Sequence, residues 1–210
     1  RQNQPDLYAK TAKFLSCEDF ILTRLGFGAY SSKCLCCRTL LMDVKKRCWS
    51  DDMLKVTGID AAKLSEPVSS GQLIGRLDKG IAALLGLNEG TGVAAAGHDQ
   101  CCNILGSGVT DATAASDAAG TFEGVSILTG TADTSDFAFA NSINTYCHLF
   151  DDQFISHAFF PSGFTMNWMM DMLRYSGASV SKGELFARLD ASVEQLGDRP
   201  TGVFVLPHLV

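Results

Sequence analysis

The 210 residues carry 17 Lys+Arg against 23 Asp+Glu, a formal charge of −6, and 46% of them are apolar, which is the composition of an ordinary globular chain able to bury a core in one or two domains. No basic run or aromatic–basic interleaving marks a nucleic-acid partner, and no apolar stretch reaches the roughly 18 residues of a membrane span. The polar start Arg1-Gln2-Asn3-Gln4-Pro5 lacks the apolar core of a signal peptide.

In chain order, Phe14, Cys17, Ile21, Leu22 and Leu25 recur at helical spacing and predict a helix over 10–25, closed by Gly26 and Gly28. A shorter apolar segment occupies 33–43 and leads into the basic turn Lys45-Lys46-Arg47, read as a solvated surface. Ser50 is placed to cap a helix over 51–57, with Asp51 and Asp52 favourable in its first turn. Pro67 to Gly71 reads as a turn, 72–77 as a short strand, and 79–86 as a helix closed by Gly86. Val93-Ala94-Ala95-Ala96 reads as a buried strand. After Gly106-Ser107-Gly108 the pattern changes to strands over 112–118, 122–128, 143–149 and 153–159. Helices over 164–175 and 183–195 follow, then a strand over 203–206. The change of character places a domain boundary near 107–111.

The strand at Val93 stops at Gly97, and His98-Asp99-Gln100 leads into the small, apolar segment Cys101-Cys102-Asn103-Ile104-Leu105. A carboxylate opening a helix at a sheet's carboxyl end stands where α/β proteins place ligands. The first-turn N–H groups hold it ionised and aimed, as a general base requires; the alternative is a plain helix cap. Further on, Ala114-Ala115-Ser116-Asp117-Ala118-Ala119-Gly120-Thr121 runs into the apolar stretch Val125 to Leu128. That pattern suits a tight hairpin whose glycine lets backbone approach a ligand and whose N–H groups and hydroxyl donate to phosphate. A Gly-Thr pair alone means only a turn.

Eight cysteines raise a metal or redox reading. Cys34, Cys36, Cys37 and the pair Cys101-Cys102 do not match zinc spacing. They lie among small and apolar residues and read as buried free thiols in a reducing, cytoplasmic setting. Trp49 and Trp168 read as core anchors, and His148 and His157 as satisfied sheet histidines. The methionines at 166, 169, 170 and 172 read as helix packing.

Together the Gly97-His98-Asp99-Gln100 segment and the Gly120-Thr121 hairpin resemble the FGGY carbohydrate kinases, the family of xylulokinase, fuculokinase and glycerol kinase. Arg38-Thr39-Leu40-Leu41-Met42-Asp43, Trp49-Ser50-Asp51, Thr57-Gly58-Ile59-Asp60, Pro67-Val68-Ser69-Ser70-Gly71 and Ile74-Gly75-Arg76-Leu77 are similar to the family's middle segment. Gly163-Phe164-Thr165-Met166-Asn167-Trp168 and Val203-Phe204-Val205-Leu206-Pro207 are similar to pieces of its second domain.

The resemblance implies an α/β, ribonuclease-H-like (actin-like ATPase) fold with parts of two domains and a cleft between them. Residues 1–108 would be the latter part of the sugar-binding domain and 109–210 the start of the nucleotide-binding domain. Nothing in the chain matches the family's Asp-x-Gly-Thr phosphate loop or its Gly-rich adenosine loop, so a partial chain is expected. The implied reaction moves the γ-phosphoryl of ATP to a hydroxyl of a sugar or polyol. The alternatives are a non-catalytic, kinase-like sugar-binding module and a cysteine-based metal or redox protein.

In the kinase reading Asp99 is the base. His98, Asp99 and Gln100 meet the sugar, although His98 equally suits packing. Gly120, Thr121, Gly163 and Asn167 meet the nucleotide, with the helix start near Gly163 facing phosphate; the alternative for Asn167 is a plain helix surface. Mg²⁺ is expected with ATP, its ligands lying outside this segment. The expected partners are the sugar and ATP, with a homodimer as the candidate assembly and neither nucleic acid nor membrane involved.

Overall fold

A computed structural model describes residues 2–175, 181–197 and 201–203. Nine α-helices and ten strands are assigned among them. They group into two compact units, one of residues 1–116 and 126–158, the other of residues 117–125 and 159–210.

The first unit begins with α1 (Pro5–Lys10) and α2 (Cys17–Arg24), not with one helix over 10–25. The break has a tertiary cause. The Phe14 N–H donates to the Lys63 carbonyl at 2.7 Å, Lys13 Nζ to the Leu64 carbonyl at 2.6 Å, and Lys63 Nζ to the Thr11 carbonyl. Backbone groups that a continuous helix would pair internally are thus committed to a distant turn. Leu22 is buried, while Phe14 and Ile21 stay exposed.

β1 (Tyr30–Ser32) runs straight into the short helix α3 (Lys33–Cys36) and a 3₁₀ turn over Cys37–Thr39. A two-strand hairpin follows, β2 (Met42–Asp43) and β3 (Cys48–Trp49). Helix α4 (Asp51–Thr57) starts where Ser50 Oγ accepts from the Met53 N–H, and stops at Gly58, whose φ is 65°. β4 (Glu66–Val68) then pairs in parallel with β1, Tyr30 opposite Glu66.

β5 (Leu73–Arg76), α5 (Lys79–Leu85) and β6 (Gly92–Ala94) come next. Asp78 caps α5 through the Gly80 and Ile81 amides, and Gly86 ends it at φ 68°. β6 is not the buried strand expected over Val93–Ala96. It pairs antiparallel with β5 alone, and of its neighbourhood only Ala95 is buried. Alanine side chains carry too little apolar area to force a strand inward.

α6 (Asp99–Gly106) buries Cys101 and Ile104. The larger sheet has the order β7-β8-β10-β9, from β7 (Ala115–Ala119), β8 (Phe122–Thr129), β9 (Asn144–Cys147) and β10 (Phe154–Pro161). A five-residue helix, α7 (Asp136–Ala140), was not expected from the sequence; Ser135 caps it through the Ala138 amide. The core of the first unit joins the thiols of Cys34, Cys36, Cys37, Cys101 and Cys147 to Met42, Ile104, Val109, Leu128, Tyr146, Phe154 and Ile155. Cysteine serves there as a small apolar filler.

The second unit carries the turn between β7 and β8 and the helices α8 (Gly163–Tyr175) and α9 (Lys182–Leu196). Ser181 and Glu184 form a reciprocal capping box at the start of α9. On α8 only Met170 is buried, and Trp168 is exposed rather than a core anchor. Of the strand expected over 203–206 only Val203 is described; the family-like residues Phe204 to Pro207 lie outside the described residues.

Candidate active site

Asp99 is the first residue of α6, and His98 is its N-cap. Gly97 precedes them in a narrow passage. A Cβ there would stand 2.4 Å from Leu149 Cδ2, 3.1 Å from Cys34 Sγ and 3.4 Å from Ser70 Oγ. Close approach, not a left-handed backbone, makes glycine necessary at this bend.

The Gln100 N–H donates to Asp99 Oδ1 at 2.7 Å. His98 Nδ1 is 3.1 Å from the same oxygen and 3.2 Å from the Gln100 nitrogen. Those two contacts ask opposite things of Nδ1. We assign its proton to the Asp99 contact, because two bare acceptors repel at that spacing and the amide is already served by the shorter bond. His98 therefore donates to Asp99, while its ring lies edge-on to Tyr146 at 6.1 Å. Burial pushes the Tyr146 hydroxyl above its ordinary pKa.

The Asp99 side chain is 84% exposed, and His98 is its one ion-pair-distance partner among the described residues. It is aimed by two donors on one oxygen, with the other oxygen left to solvent. Gln100 sits half-buried beside it, and its Oε1 is buried without a hydrogen-bond partner. A buried acceptor of this kind favours a hydroxyl or amide donor brought to it.

The second unit brings Gly120, Thr121 and Gly163 together through their backbones. Gly120 N–H donates to the Phe122 carbonyl at 3.0 Å and closes the hairpin turn. The Gly163 N–H donates to the Gly120 carbonyl at 3.0 Å, and the Phe164 N–H to the Thr121 carbonyl at 2.8 Å. A Cβ on Gly163 would lie 2.5 Å from the Gly120 oxygen, so only glycine fits. Phe122 stacks on Phe159 at 5.2 Å and on Phe164 at 6.3 Å, bracing the corner.

The Gly163 and Phe164 amides at the start of α8 are thus both engaged by hairpin carbonyls. The exposed Thr121 keeps its hydroxyl free of partners among the described residues. Asn167 lies one turn along α8, and its Oδ1 accepts from Lys182 Nζ at 2.5 Å.

The eight cysteines are all free. Five are buried, but Cys17, Cys48 and Cys102 are exposed, so the pair Cys101-Cys102 splits between the inner and outer faces of α6. No group of three or more His, Cys, Asp or Glu among the described residues is disposed to hold a metal ion. The two histidines expected in strands differ: His157 lies in β10, and His148 directly follows β9. His157 Nδ1 meets Ser126 Oγ at 2.8 Å, whereas both nitrogens of the buried His148 lack partners, against expectation. His208 lies outside the described residues. Among the described residues no helix is long and apolar enough to cross a membrane.

Residues 1–106 match the model of the "FGGY family of carbohydrate kinases, N-terminal domain". The xylulose kinase of Bacillus subtilis (strain 168) is 25% identical over 211 residues, covering 100% of this chain and 40% of that protein. The L-fuculokinase of Escherichia coli (strain K12) is 30% identical over 108 residues, or 51% of this chain and 23% of that one. The crystal structure of xylulose kinase from Rhodospirillum rubrum superposes with a TM-score of 0.78 at 17% identity, covering 96% of this chain and 39% of that chain. The fold is thus that of the sugar kinases, and the chain spans about 40% of the length of the curated relatives that match all of it.

Proposed function

Because this chain belongs to the FGGY family of carbohydrate kinases, we propose that it is part of a cytoplasmic enzyme that transfers the γ-phosphoryl group of ATP to a hydroxyl of a sugar or polyol. The observation that carries the proposal is the exposed, doubly oriented carboxylate of Asp99 at the start of α6. Phosphoryl transfer asks the protein mainly for positioning, charge neutralisation and a base for the attacking hydroxyl.

In this reading the sugar hydroxyl gives its proton to Asp99 as its oxygen bonds to the γ-phosphorus and ADP leaves. Asp99 Oδ1 is held by the Gln100 amide and His98, so Oδ2 takes the proton. Gln100 offers Oε1 and its amide hydrogens to neighbouring sugar hydroxyls. His98 aims the base and borders the sugar. On the nucleotide side, Thr121 donates its hydroxyl to phosphate, and the glycines at 120 and 163 keep the corner thin enough for a phosphate to approach. Asn167 borders the nucleotide through its amide, its carbonyl being held by Lys182. We place the start of the nucleotide-binding domain at residue 109.

Mg²⁺ would neutralise the phosphates of ATP, but the described residues supply no cluster of ligands for it, and none of the roles above runs through the metal. The names of the relatives make xylulose and fuculose the first sugars to try.

Asp99→Asn in the full-length kinase is the test. We expect turnover to fall by about 10²–10⁴ in a coupled ADP assay, with ATP affinity by calorimetry kept within about threefold. Turnover near that of the unsubstituted enzyme would remove Asp99 as the base.

A further inference from the structure

The residues that hold Asp99 in place come from a part of the chain with no motif in it. Of the four amides from Ala95 to His98, those of Ala95, Ala96 and His98 are claimed. Ala95 N–H donates to the Gln72 carbonyl at 3.0 Å, one residue beyond the paired ends of β6 and β5. The other two go to side chains. Ala96 N–H donates to Glu18 Oε1 at 2.8 Å, and His98 N–H donates to Cys34 Sγ at 3.2 Å.

Glu18 is itself fixed. Its other oxygen, Oε2, accepts from the Ser32 N–H at 2.8 Å and from Ser32 Oγ at 2.9 Å. Ser32 and Cys34 are both fully buried at the junction of β1 and α3. One carboxylate therefore ties the first turn of α2 to the end of β1 and to the approach of the Asp99 bend, across 78 residues of sequence. Cys34 backs the same bend, its sulfur 3.1 Å from where a Cβ on Gly97 would stand.

We propose that Glu18 and Cys34 are positioning residues for the Asp99 base, each holding one amide of the 96–98 segment so that α6 begins at a fixed place and direction. The inference rests on the reading of Asp99 as base. It differs from a general packing role because both contacts are single, directed bonds to the backbone of the bend. Cys34 is suited to accept. Its thiol is pulled down to about 6, first by the Cys101 thiol and then, against burial, by Ser32, the His98 amide and Ser70. The Cys101 thiol is pushed up correspondingly. The Cys34 sulfur accepts from the His98 amide at 3.2 Å, while its own thiol hydrogen goes to Ser32 Oγ at 3.5 Å, the Ser32 hydroxyl hydrogen being given to Glu18. Such a directed hold matters, since a misplacement of about 1 Å can cost about 10²-fold in rate.

The experiment sets Glu18→Gln, Cys34→Ala and Cys34→Ser beside Asp99→Asn in the full-length kinase, reading kcat, the KM for ATP and the acid limb of the kcat–pH profile. Glutamine places a donor against either Ser32 or Ala96. We expect Glu18→Gln to lower kcat by about 10–100-fold, leave the KM for ATP within about twofold, and displace the acid limb. Cys34→Ala is expected to lower kcat by about tenfold, and Cys34→Ser, which keeps an acceptor, to restore most of it. Kinetics of Glu18→Gln and Cys34→Ala like those of the parent, with Asp99→Asn inactive, overturn the positioning roles and leave the base intact. Full activity of Asp99→Asn overturns the base and these roles with it. Should Glu18→Gln fail to fold, the two Cys34 variants decide alone: equal rates for alanine and serine count against the proposal, and rescue by serine supports it.

Discussion

The two units hold their candidate site residues by different means. Around Asp99 the bend is fixed by side chains reaching in from afar: Glu18 on the Ala96 amide, Cys34 on the His98 amide, and Leu149 against Gly97. At the Gly120–Gly163 corner the fixing is done by backbone on backbone, two amides of α8 on two carbonyls of the hairpin turn. A side-chain hold can be loosened one bond at a time with the chain path kept. A backbone hold has no group to delete and is broken only by adding atoms.

That contrast orders the expected outcomes. Gly163→Ala should have the largest structural effect. Its Cβ meets a backbone oxygen at 2.5 Å, which cannot swing aside. A cost of about 2–3 kcal/mol in the second unit is expected, read as lost hydrogen-exchange protection at the Phe164 amide. Protection equal to that of the parent would show that the corner yields. Gly97→Ala should cost less, about 1–2 kcal/mol, because the nearest atom is the tip of the Leu149 side chain. Adding Leu149→Ala should recover part of that loss in denaturant melts, and no recovery would assign the strain to Cys34 and Ser70 instead.

His148 sharpens the comparison from inside the first unit, as a side chain that holds nothing. Burial lowers its pKa, so the folded state keeps it neutral. The unfolded chain takes up a proton near about pH 6.5. Stability is therefore intact above that pH and falls as the pH drops through it. His157 is lowered in the same direction, by burial first and then by Arg38 and His98. His148→Leu should raise stability by about 1 kcal/mol, since both ring nitrogens are buried without partners. It should also flatten the loss between pH 7.5 and 5.5, and an unchanged slope would place the acid sensitivity elsewhere. The mildest test is thiol labelling of the native protein. Cys17, Cys48 and Cys102 should react quickly and the five buried thiols only on unfolding. Cys34 belongs to the slow group despite its lowered pKa, because access controls reaction as much as ionisation does. Fast labelling of a fourth thiol would mean that the bend opens.

Several elements were legible because their signals are local. The Ser50 cap and Gly58 bracket α4, and Asp78 and Gly86 bracket α5, as the residue types predict. The four strands expected between 112 and 159 and both late helices fall close to their predicted spans. The Asp99 segment was legible as a glycine bend with an acidic helix start. Other features were not. The helical spacing from Phe14 to Leu25 is real, but amides and carbonyls near Lys63 and Leu64 compete for the backbone at 11–14. The run Val93–Ala96 looked buried because apolar residue types say nothing about which strand lies beside them. α7 announced itself only through Ser135-Asp136, a weak start for five residues. Glu18 carried no signal at all, being an acidic residue in the first turn of an amphipathic helix like many others.

The residue order alone determined where helices start and stop, which glycines bend the chain, and that an acidic side chain would open α6. These are decided by φ and ψ preferences and by hydrogen bonds within about four positions. Only the tertiary structure decided that Glu18 would meet Ala96, that Cys34 would take the His98 amide, and that Gly163 would lie against Gly120. Those pairings depend on which distant backbone amides are left without a local partner, and that is settled only when the units have closed.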